Sequence, residues 1–314
     1  LMTQIFLAHA DEDDAIAEKF RRRLMRAGYT VWTSKVDIEI GTEFLEAIQD
    51  GIETADNILY LLSPESIQSK YCQHEIEYAL SLNKRIIPVL VKAIDLEQLP
   101  PSLQRLQYID LTDNVVDADD LHDQNQLLRI LQQDVAYYEE HKVLLVKALK
   151  WQQQRQNPSL LLRGYNLRHA EAWLKVAKQR SQYTPTPLQE TFIQESLRQP
   201  PEVSLDVFIS YSRTDSDFAR RLNDALQIQG KTTWFDQESI ASGADFQQEI
   251  YRGIETSNHF LFIISPSSID SPFCASEVEY AKTLNKRIVT VLHRSVASEN
   301  LHPVLASIQW IDFN

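Results

Sequence analysis

Glu75 and Glu277 stand in the same short setting twice over. Each follows a cysteine by three positions (Cys72, Cys274) and an aromatic by four (Tyr71, Phe273), and each opens the run Glu-x-Glu-Tyr-Ala. On a helix, i,i+4 spacing puts ring and carboxylate on one face. A carboxylate beside an aromatic face is a pair suited to holding a cation. Ser69 and the Ser271-Pro272 pair are helix-start signals, so both glutamates are expected less than two turns in. The ordinary reading of such a residue is a solvated glutamate pairing with a nearby Lys or Arg. Glu77 and Glu279 are read in that structural way.

Those settings belong to a long repeat. Residues 1–111 slide onto 203–313 at a constant offset of 202 without a gap, and roughly 40 of about 107 aligned positions match, which is duplication of a domain and not a short solenoid period. Matches are densest around Glu75 and Glu277, where Leu-Asn-Lys-Arg-Ile also recurs. Within each copy, short apolar runs rich in β-branched and aromatic residues alternate with amphipathic stretches. In the first copy the runs are 5–8, 29–33, 57–62, 85–91 and 107–111, with helical patterns at 13–26, 43–54 and 70–82. The second copy repeats the runs at 207–210, 231–235, 259–264, 287–292 and 309–313. Alternation of this kind predicts α/β domains, each a five-stranded parallel sheet covered by helices on both faces, in a flavodoxin-like layout. Any ligand crevice then lies at the carboxyl ends of the strands.

Residues 113–203 differ in character. Helical periodicity at 121–138, 142–154 and 167–179 predicts an α-helical linker domain with a small core, and the prolines at 184–187 and 200–201 read as its end. The expected organisation is thus 1–112, 113–203 and 204–314. The first linker helix is expected to cover the last strand of the first copy; the second copy stops at Asn314, straight after that strand, so either its edge frays or the native protein continues. Leu1 before Met2 reads as a cloning remnant.

Composition narrows the classes. A net charge of −13 argues against a nucleic-acid partner, which needs a basic face. Cys72 and Cys274 occupy equivalent positions, so no disulfide forms within a copy; both are expected in the core, in a reducing cytoplasm. The histidines show no ligand spacing, and no metal is expected. The lack of a long apolar run or signal-peptide pattern predicts a soluble chain without a membrane partner.

Phe208-Ile209-Ser210-Tyr211-Ser212 with Asp215, Trp234-Phe235-Asp236 with Gly243, Ile264-Ser265-Pro266 and Cys274-x-x-Glu277 together resemble the TIR (Toll/interleukin-1 receptor) domain. The first copy carries the same scaffold in Phe6-Leu7-Ala8-His9, Trp32, Gly41, Leu62-Ser63-Pro64 and Cys72-x-x-Glu75. The middle segment looks like linkers of multidomain bacterial signalling proteins. The resemblance implies cleavage of NAD+, as substrate and not cofactor, at the nicotinamide–ribose bond, by hydrolysis or cyclisation. It makes Glu277 and Glu75 the catalytic carboxylates. It also implies activation by association with other TIR domains, hence a homo-oligomer, in bacterial defence against viruses or in stress signalling. The alternative is a scaffold that joins TIR domains without turnover.

The same resemblance places Trp234 and Trp32 at the entry to a gating loop that holds Gly243 or Gly41, and the i,i+4 aromatics Phe273 and Tyr71 suit a cationic nicotinamide ring beside the carboxylate. Ser212 and Arg213 follow the first strand of the second copy, where an arginine can pair with pyrophosphate oxygens. The first copy has the acidic run Asp11, Glu12, Asp13, Asp14 there, and Ser34 in place of Asp236. The second copy is therefore expected to be the better catalyst. A response-regulator reading lacks the acidic pair and strand-end lysine it needs, since Lys84 and Lys286 precede the fourth strand.

Overall fold

The computed structural model describes residues 3–34, 44–112, 121–200, 204–235 and 244–313. The loop glycines Gly41 and Gly243, and Asp236, lie outside the described residues.

The apolar runs fold as anticipated into two five-stranded parallel sheets. The first comprises β1 (Gln4–Ala8), β2 (Thr30–Trp32), β3 (Asn57–Leu62), β4 (Arg85–Leu90) and β5 (Ile109–Asp110), in the order β2-β1-β3-β4-β5. The second comprises β6 (Leu205–Ser210), β7 (Thr233–Trp234), β8 (Ser257–Ile264), β9 (Arg287–Leu292) and β10 (Ile311–Asp312), in the equivalent order. Every residue of β3 and β4 is buried, because helices cover both faces of a parallel sheet. In the first domain the helices are α1 (Asp14–Arg26), α2 (Phe44–Thr54), α3 (Pro64–Gln68), α4 (Lys70–Ser81) and α5 (Pro101–Gln104). Phe6, Ala8, Ile58, Tyr60, Ile52, Cys72 and Ile76 fill the layer beneath α2 and α4, while Ile5, Leu7, Leu59 and Leu61 face α1 on the other side.

The recurring Leu-Asn-Lys-Arg-Ile motif is a helix stop. Asn83 and Asn285 both take φ of 53°, the left-handed conformation that ends a helix. The lysine after each reaches the junction between the second helix of its domain and the third strand. Lys84 Nζ donates to the carbonyls of Glu53 and Ala55, both at 2.7 Å, and Lys286 Nζ to those of Glu255 and Ser257, also at 2.7 Å.

Between the two sheets along the chain come α6 (Leu121–Gln132), α7 (Val135–Gln153), α8 (Gly164–Ala177) and α9 (Pro187–Arg198). Two corrections to the sequence reading arise here. The expected helix over 121–138 is broken, because Asp134 adopts φ of 55° and α7 starts afresh at Val135. The prolines of 184–187 do not end the helical region but begin α9. Thr186 and Gln189 form reciprocal capping bonds, Thr186 N to Gln189 Oε1 at 2.7 Å and Gln189 N to Thr186 Oγ1 at 3.2 Å, with Pro187 as the first helical residue. As expected, α6 covers the last strand, with Leu127 and Leu131 in one cluster with Ile109 and Leu111.

By its contacts the chain divides into two compact units, residues 1–149 with 172–190 and residues 150–171 with 191–314, so the segment 113–203 is shared between them. The second unit carries α10 (Ser216–Ile228), α11 (Ala244–Thr256), α12 (Pro266–Ile269), α13 (Pro272–Thr283) and α14 (Pro303–Ala306). Among the described residues no helix is long and apolar enough to cross a membrane. No group of three or more His, Cys, Asp or Glu side chains among them is placed to hold a metal ion.

Candidate active site

In the second domain Ser271 caps α13, its side chain accepting from Cys274 N at 3.3 Å, and Pro272 opens the first turn. Cys274, Val278 and Ala281 turn into the core, which sets Glu277 on the flank facing the carboxyl end of β6. There the last strand residue, Ser210, donates its hydroxyl to Glu277 Oε2 at 2.6 Å. Burial raises the Glu277 pKa from 4.5 to about 7, and the Ser210 bond opposes that rise by stabilising the ionised form.

The first domain builds its counterpart with different parts. Ser69 caps α4, accepting from Cys72 N at 3.4 Å, and Glu75 is only 5% exposed. Ala8 occupies the position of Ser210 and offers no hydroxyl. Ser34, two residues beyond β2, hydrogen-bonds Glu75 instead. Burial pushes the Glu75 pKa up to about 8, again opposed by its single hydroxyl partner.

Neither glutamate has an ion-pair partner among the described residues; Glu75 is buried and Glu277 half-buried, and desolvation raises the pKa of both. The ordinary reading of a solvated surface carboxylate therefore does not describe them. A carboxylate in a poorly solvated site, held by one hydroxyl and lacking a cation, is tuned to receive one. Approach of a positive group favours its ionised form and lowers its pKa. Such a group can also stabilise positive charge that develops in a transition state.

Trp32 and Trp234 lie on the same side of their sheets as the glutamates, packed against the clusters that contain Cys72 and Cys274. Trp32 stacks on Phe6 with centroids 5.1 Å apart, and Trp234 on Phe208 at 4.6 Å. Each indole lies against a helical glycine. A Cβ on Gly51 would come within 2.9 Å of Trp32, and one on Gly253 within 2.6 Å of Trp234. These glycines are invisible to a reading focused on loops. Their signal is the run Gly-Ile-Glu-Thr, identical at 51–54 and 253–256. Ser210 was equally hidden inside a strand motif, and its signal is the contrast with Ala8.

Tyr71 and Phe273, four residues before the glutamates, are 69% and 63% exposed. Tyr71 meets Phe44 edge-on at 6.0 Å. Ser212 precedes a short 3-10 turn (Arg213–Asp215) at the carboxyl end of β6, with its hydroxyl 3.2 Å from that of Thr214, and Arg213 is exposed there without an ion pair among the described residues. In the first domain the acidic run divides. Asp13 is buried, accepts from Ser63 and pairs with Lys92 at 2.7 Å, and Asp14 meets His9 at 2.9 Å, while Asp11 and Glu12 are exposed. Asp215 repeats the buried bond with Ser265 at 2.5 Å, so this aspartate is a support for the strand-end turn in both domains. Burial pushes the Cys72 thiol to about 12 and that of Cys274 to about 11, leaving both as unreactive core residues.

Comparison with known proteins follows this geometry. The chain is 27% identical over 117 residues to a protein named stimulator of interferon genes protein from Magallana gigas, an alignment covering 36% of this chain and 28% of that one. It is 29% identical over 106 residues to the 2' cyclic ADP-D-ribose synthase BtTIR of Bacteroides thetaiotaomicron, covering 32% and 37%, and 31% identical over 67 residues to the NAD(+) hydrolase tir-1 of Caenorhabditis elegans, covering 21% and 7%. The chain thus spans little more than a third of these relatives at most. A solved TIR domain of the Toll-related receptor TRR-2 from Hydra magnipapillata is similar at 25% identity, with a TM-score of 0.35, covering 42% of this chain and 97% of that one. The TIR domain profile matches residues 5–128 and 207–314, well over half of the chain, which therefore belongs to the TIR domain family and carries the domain twice.

Proposed function

We propose that the chain cleaves NAD+ at the bond between nicotinamide and ribose, with Glu277 as the principal catalytic carboxylate and Glu75 as a weaker one. The observation that carries this reading is the half-buried glutamate, without an ion-pair partner among the described residues, held by Ser210 at the carboxyl end of the second sheet. Similarity to proteins named NAD(+) hydrolase and 2' cyclic ADP-D-ribose synthase supports it.

The chemistry suits a single acid. The glycosidic C–N bond breaks with its electron pair going to the pyridinium nitrogen, so nicotinamide leaves neutral and needs no proton. The ribosyl oxocarbenium left behind is what requires help, and a carboxylate beside it supplies opposite charge. The positive pyridinium first ionises Glu277. The ring then departs, and the carboxylate faces the cation that replaces it. Water captures the cation and loses a proton, giving ADP-ribose; capture by a group of the same molecule closes a ring. Arg213, exposed at the strand end, is assigned to the pyrophosphate. Trp234, seated on Phe208 and Gly253, forms the wall beside the ribose.

For the first domain a second role is favoured by its own surface. Phe44, Leu45 and Tyr71 expose an apolar patch by the entrance to a nearly closed Glu75, which suits association with another TIR domain more than turnover. The reading as a whole is of an enzyme activated by TIR association in a cytoplasmic bacterial defence or stress response. Its test is nicotinamide release from NAD+ by concentrated chain, followed chromatographically. Release is expected, and is expected to vanish in the double variant Glu75→Gln, Glu277→Gln; absence of release, or its survival in the double variant, would overturn the proposal.

A further inference from the structure

The helical region meets the first TIR domain at a buried histidine that the proposed chemistry does not use. His141 of α7 is 3% exposed. Its ring stands edge-on to Trp173 with centroids 5.9 Å apart and lies 6.5 Å from that of Tyr137, and its own carbonyl accepts from Gln189 Nε2 at 2.7 Å. One ring nitrogen bonds the backbone of Thr184. The other, Nε2, is buried and meets no hydrogen-bonding group among the described residues. A neutral imidazole fits this seat, since it has one N–H to donate and the seat offers that donor one acceptor.

Protonation upsets the match. It puts a second N–H at Nε2 with no protein group to accept it, in a place withdrawn from water. The charged group acting on the ring is itself a cation. Lys84, 2% exposed, donates from Nζ to the carbonyls of Glu53 and Ala55. The carboxylates around it are engaged: Asp56 pairs with Lys142 through one oxygen and accepts from Gln4 N through the other, and Glu53 takes the Tyr78 hydroxyl. On the remaining sides, Tyr137 donates its hydroxyl to the Tyr183 carbonyl, Arg180 lies over the Tyr137 ring and pairs with Asp134, and Glu190, beside Gln189 on α9, pairs with Lys178. Burial first and Lys84 second hold the His141 pKa down to about 3, against the Thr184 bond, which raises it. The histidine also stands at the seam that the recurring asparagine closes. Asn83 Nδ2 donates to the carbonyls of Thr184 at 2.9 Å and Pro185 at 3.3 Å, so α7 and the turn at Asn83 and Lys84 hold the same stretch of chain.

We propose that His141 is a pH-sensitive latch: protonation of its ring in mild acid loosens α7 and the 183–189 segment from the turn at Asn83 and Lys84, opening the helical cover of the first TIR domain ahead of its sheet. The latch stands independently of NAD+ cleavage. Its sign follows from linkage. Once opened, His141 titrates at its ordinary 6.5, so the latch has full strength above that pH. As pH falls from 6.5 toward 3, the open form binds a proton that the closed form refuses, and closure weakens. Lys84, which burial lowers from 10.5 to about 7, acts in a separate window above pH 7 and adds no slope below it.

The test is amide hydrogen exchange on the intact chain at pH 7 and pH 5, read by mass spectrometry and corrected for intrinsic rates. Protection of the α7 amides is expected to fall roughly 20-fold more in the wild type than in His141→Gln, which keeps an N–H for Thr184 and has nothing to titrate. At pH 5 those amides are expected to exchange ahead of the amides of β3 and β4, as a local opening requires. A second measurement needs no substitution. In NMR of the wild type with labelled histidine rings, the His141 ring is expected not to titrate between pH 8 and pH 5 while the chain is folded. Equal acid dependence in wild type and variant, exchange of α7 in step with the sheet, or a His141 ring that titrates near 6.5 in the folded chain would each overturn the proposal.

Discussion

The first and second TIR domains share a sheet order, a capped helix and a glutamate at the same position, yet they hold that glutamate by different hands. Ser210 reaches Glu277 from the end of β6, whereas Ala8 stands at that position in the first domain and Ser34 bonds Glu75 from beyond β2. The first glutamate is the less exposed to solvent and its pKa the higher, about 8 against about 7. In the first domain Lys142 of α7 pairs with the buried Asp56 at 2.8 Å, Leu145 joins its core, and α6 closes its last strand. The second domain has the more open site, with Glu277 partly exposed where Glu75 is buried. Duplication has thus left one domain with a closed site and one with a more open site whose carboxylate titrates nearer to neutral pH.

The most severe way to probe the contrast is to attack the seats of the two tryptophans. Gly253→Val and Gly51→Val each drive a side chain into an indole, and the closer approach in the second domain, 2.6 Å against 2.9 Å, makes Gly253→Val the worse. A loss of about 3 kcal/mol or more is expected there, confined to the second domain's unfolding transition in calorimetry. Equal losses, or none, would mean that the glycines do not set the tryptophans.

Linkage offers a second comparison. Below pH 4.5 both glutamates are neutral whether the chain is folded or not. Between 4.5 and the folded pKa the unfolded chain sheds a proton that the folded chain keeps, so stability falls as pH rises, to about pH 8 for Glu75 and about pH 7 for Glu277. Removing the titration with Glu75→Gln is therefore expected to stabilise the first domain at pH 8.5 by on the order of 3 kcal/mol, and hardly at all near pH 4. Glu277→Gln should give a smaller gain that levels off sooner. Denaturant titrations at several pH values read both windows, and a gain independent of pH would contradict the burial of these groups.

The smallest of these effects concerns Ser210. Its bond favours the ionised carboxylate, so Ser210→Ala is expected to cut nicotinamide release about tenfold. It should also move the rising limb of the pH–rate profile to higher pH, which a merely structural change would leave in place. Ser34→Ala should leave the bulk of the activity unchanged.

Much of this architecture was legible because parallel strands buried on both faces write themselves as continuous apolar runs, and because a gapless repeat supplies each domain as a check on the other. Asn57–Leu62 and Arg287–Leu292 emerge as strands with the expected bounds. What escaped was decided by single residues with two meanings. Pro187 both ends a pattern and starts a helix, and only the bonds between Thr186 and Gln189 settle which. Asp134 breaks a leucine-rich stretch that periodicity would carry through. Glu75 and Glu277 were readable as special from their context, but their hydroxyl partners were not, since Ser210 and Ser34 are brought to them by contacts 67 and 41 residues away along the chain.

The most direct test of unequal sites compares single variants. Nicotinamide release from NAD+ should be measured for the wild type, Glu277→Gln and Glu75→Gln at equal protein concentration, with folding of each verified by calorimetry. The account predicts that Glu277→Gln loses about 100-fold or more while Glu75→Gln keeps most of the rate. Loss confined to Glu75→Gln, or equal loss in both, would contradict it.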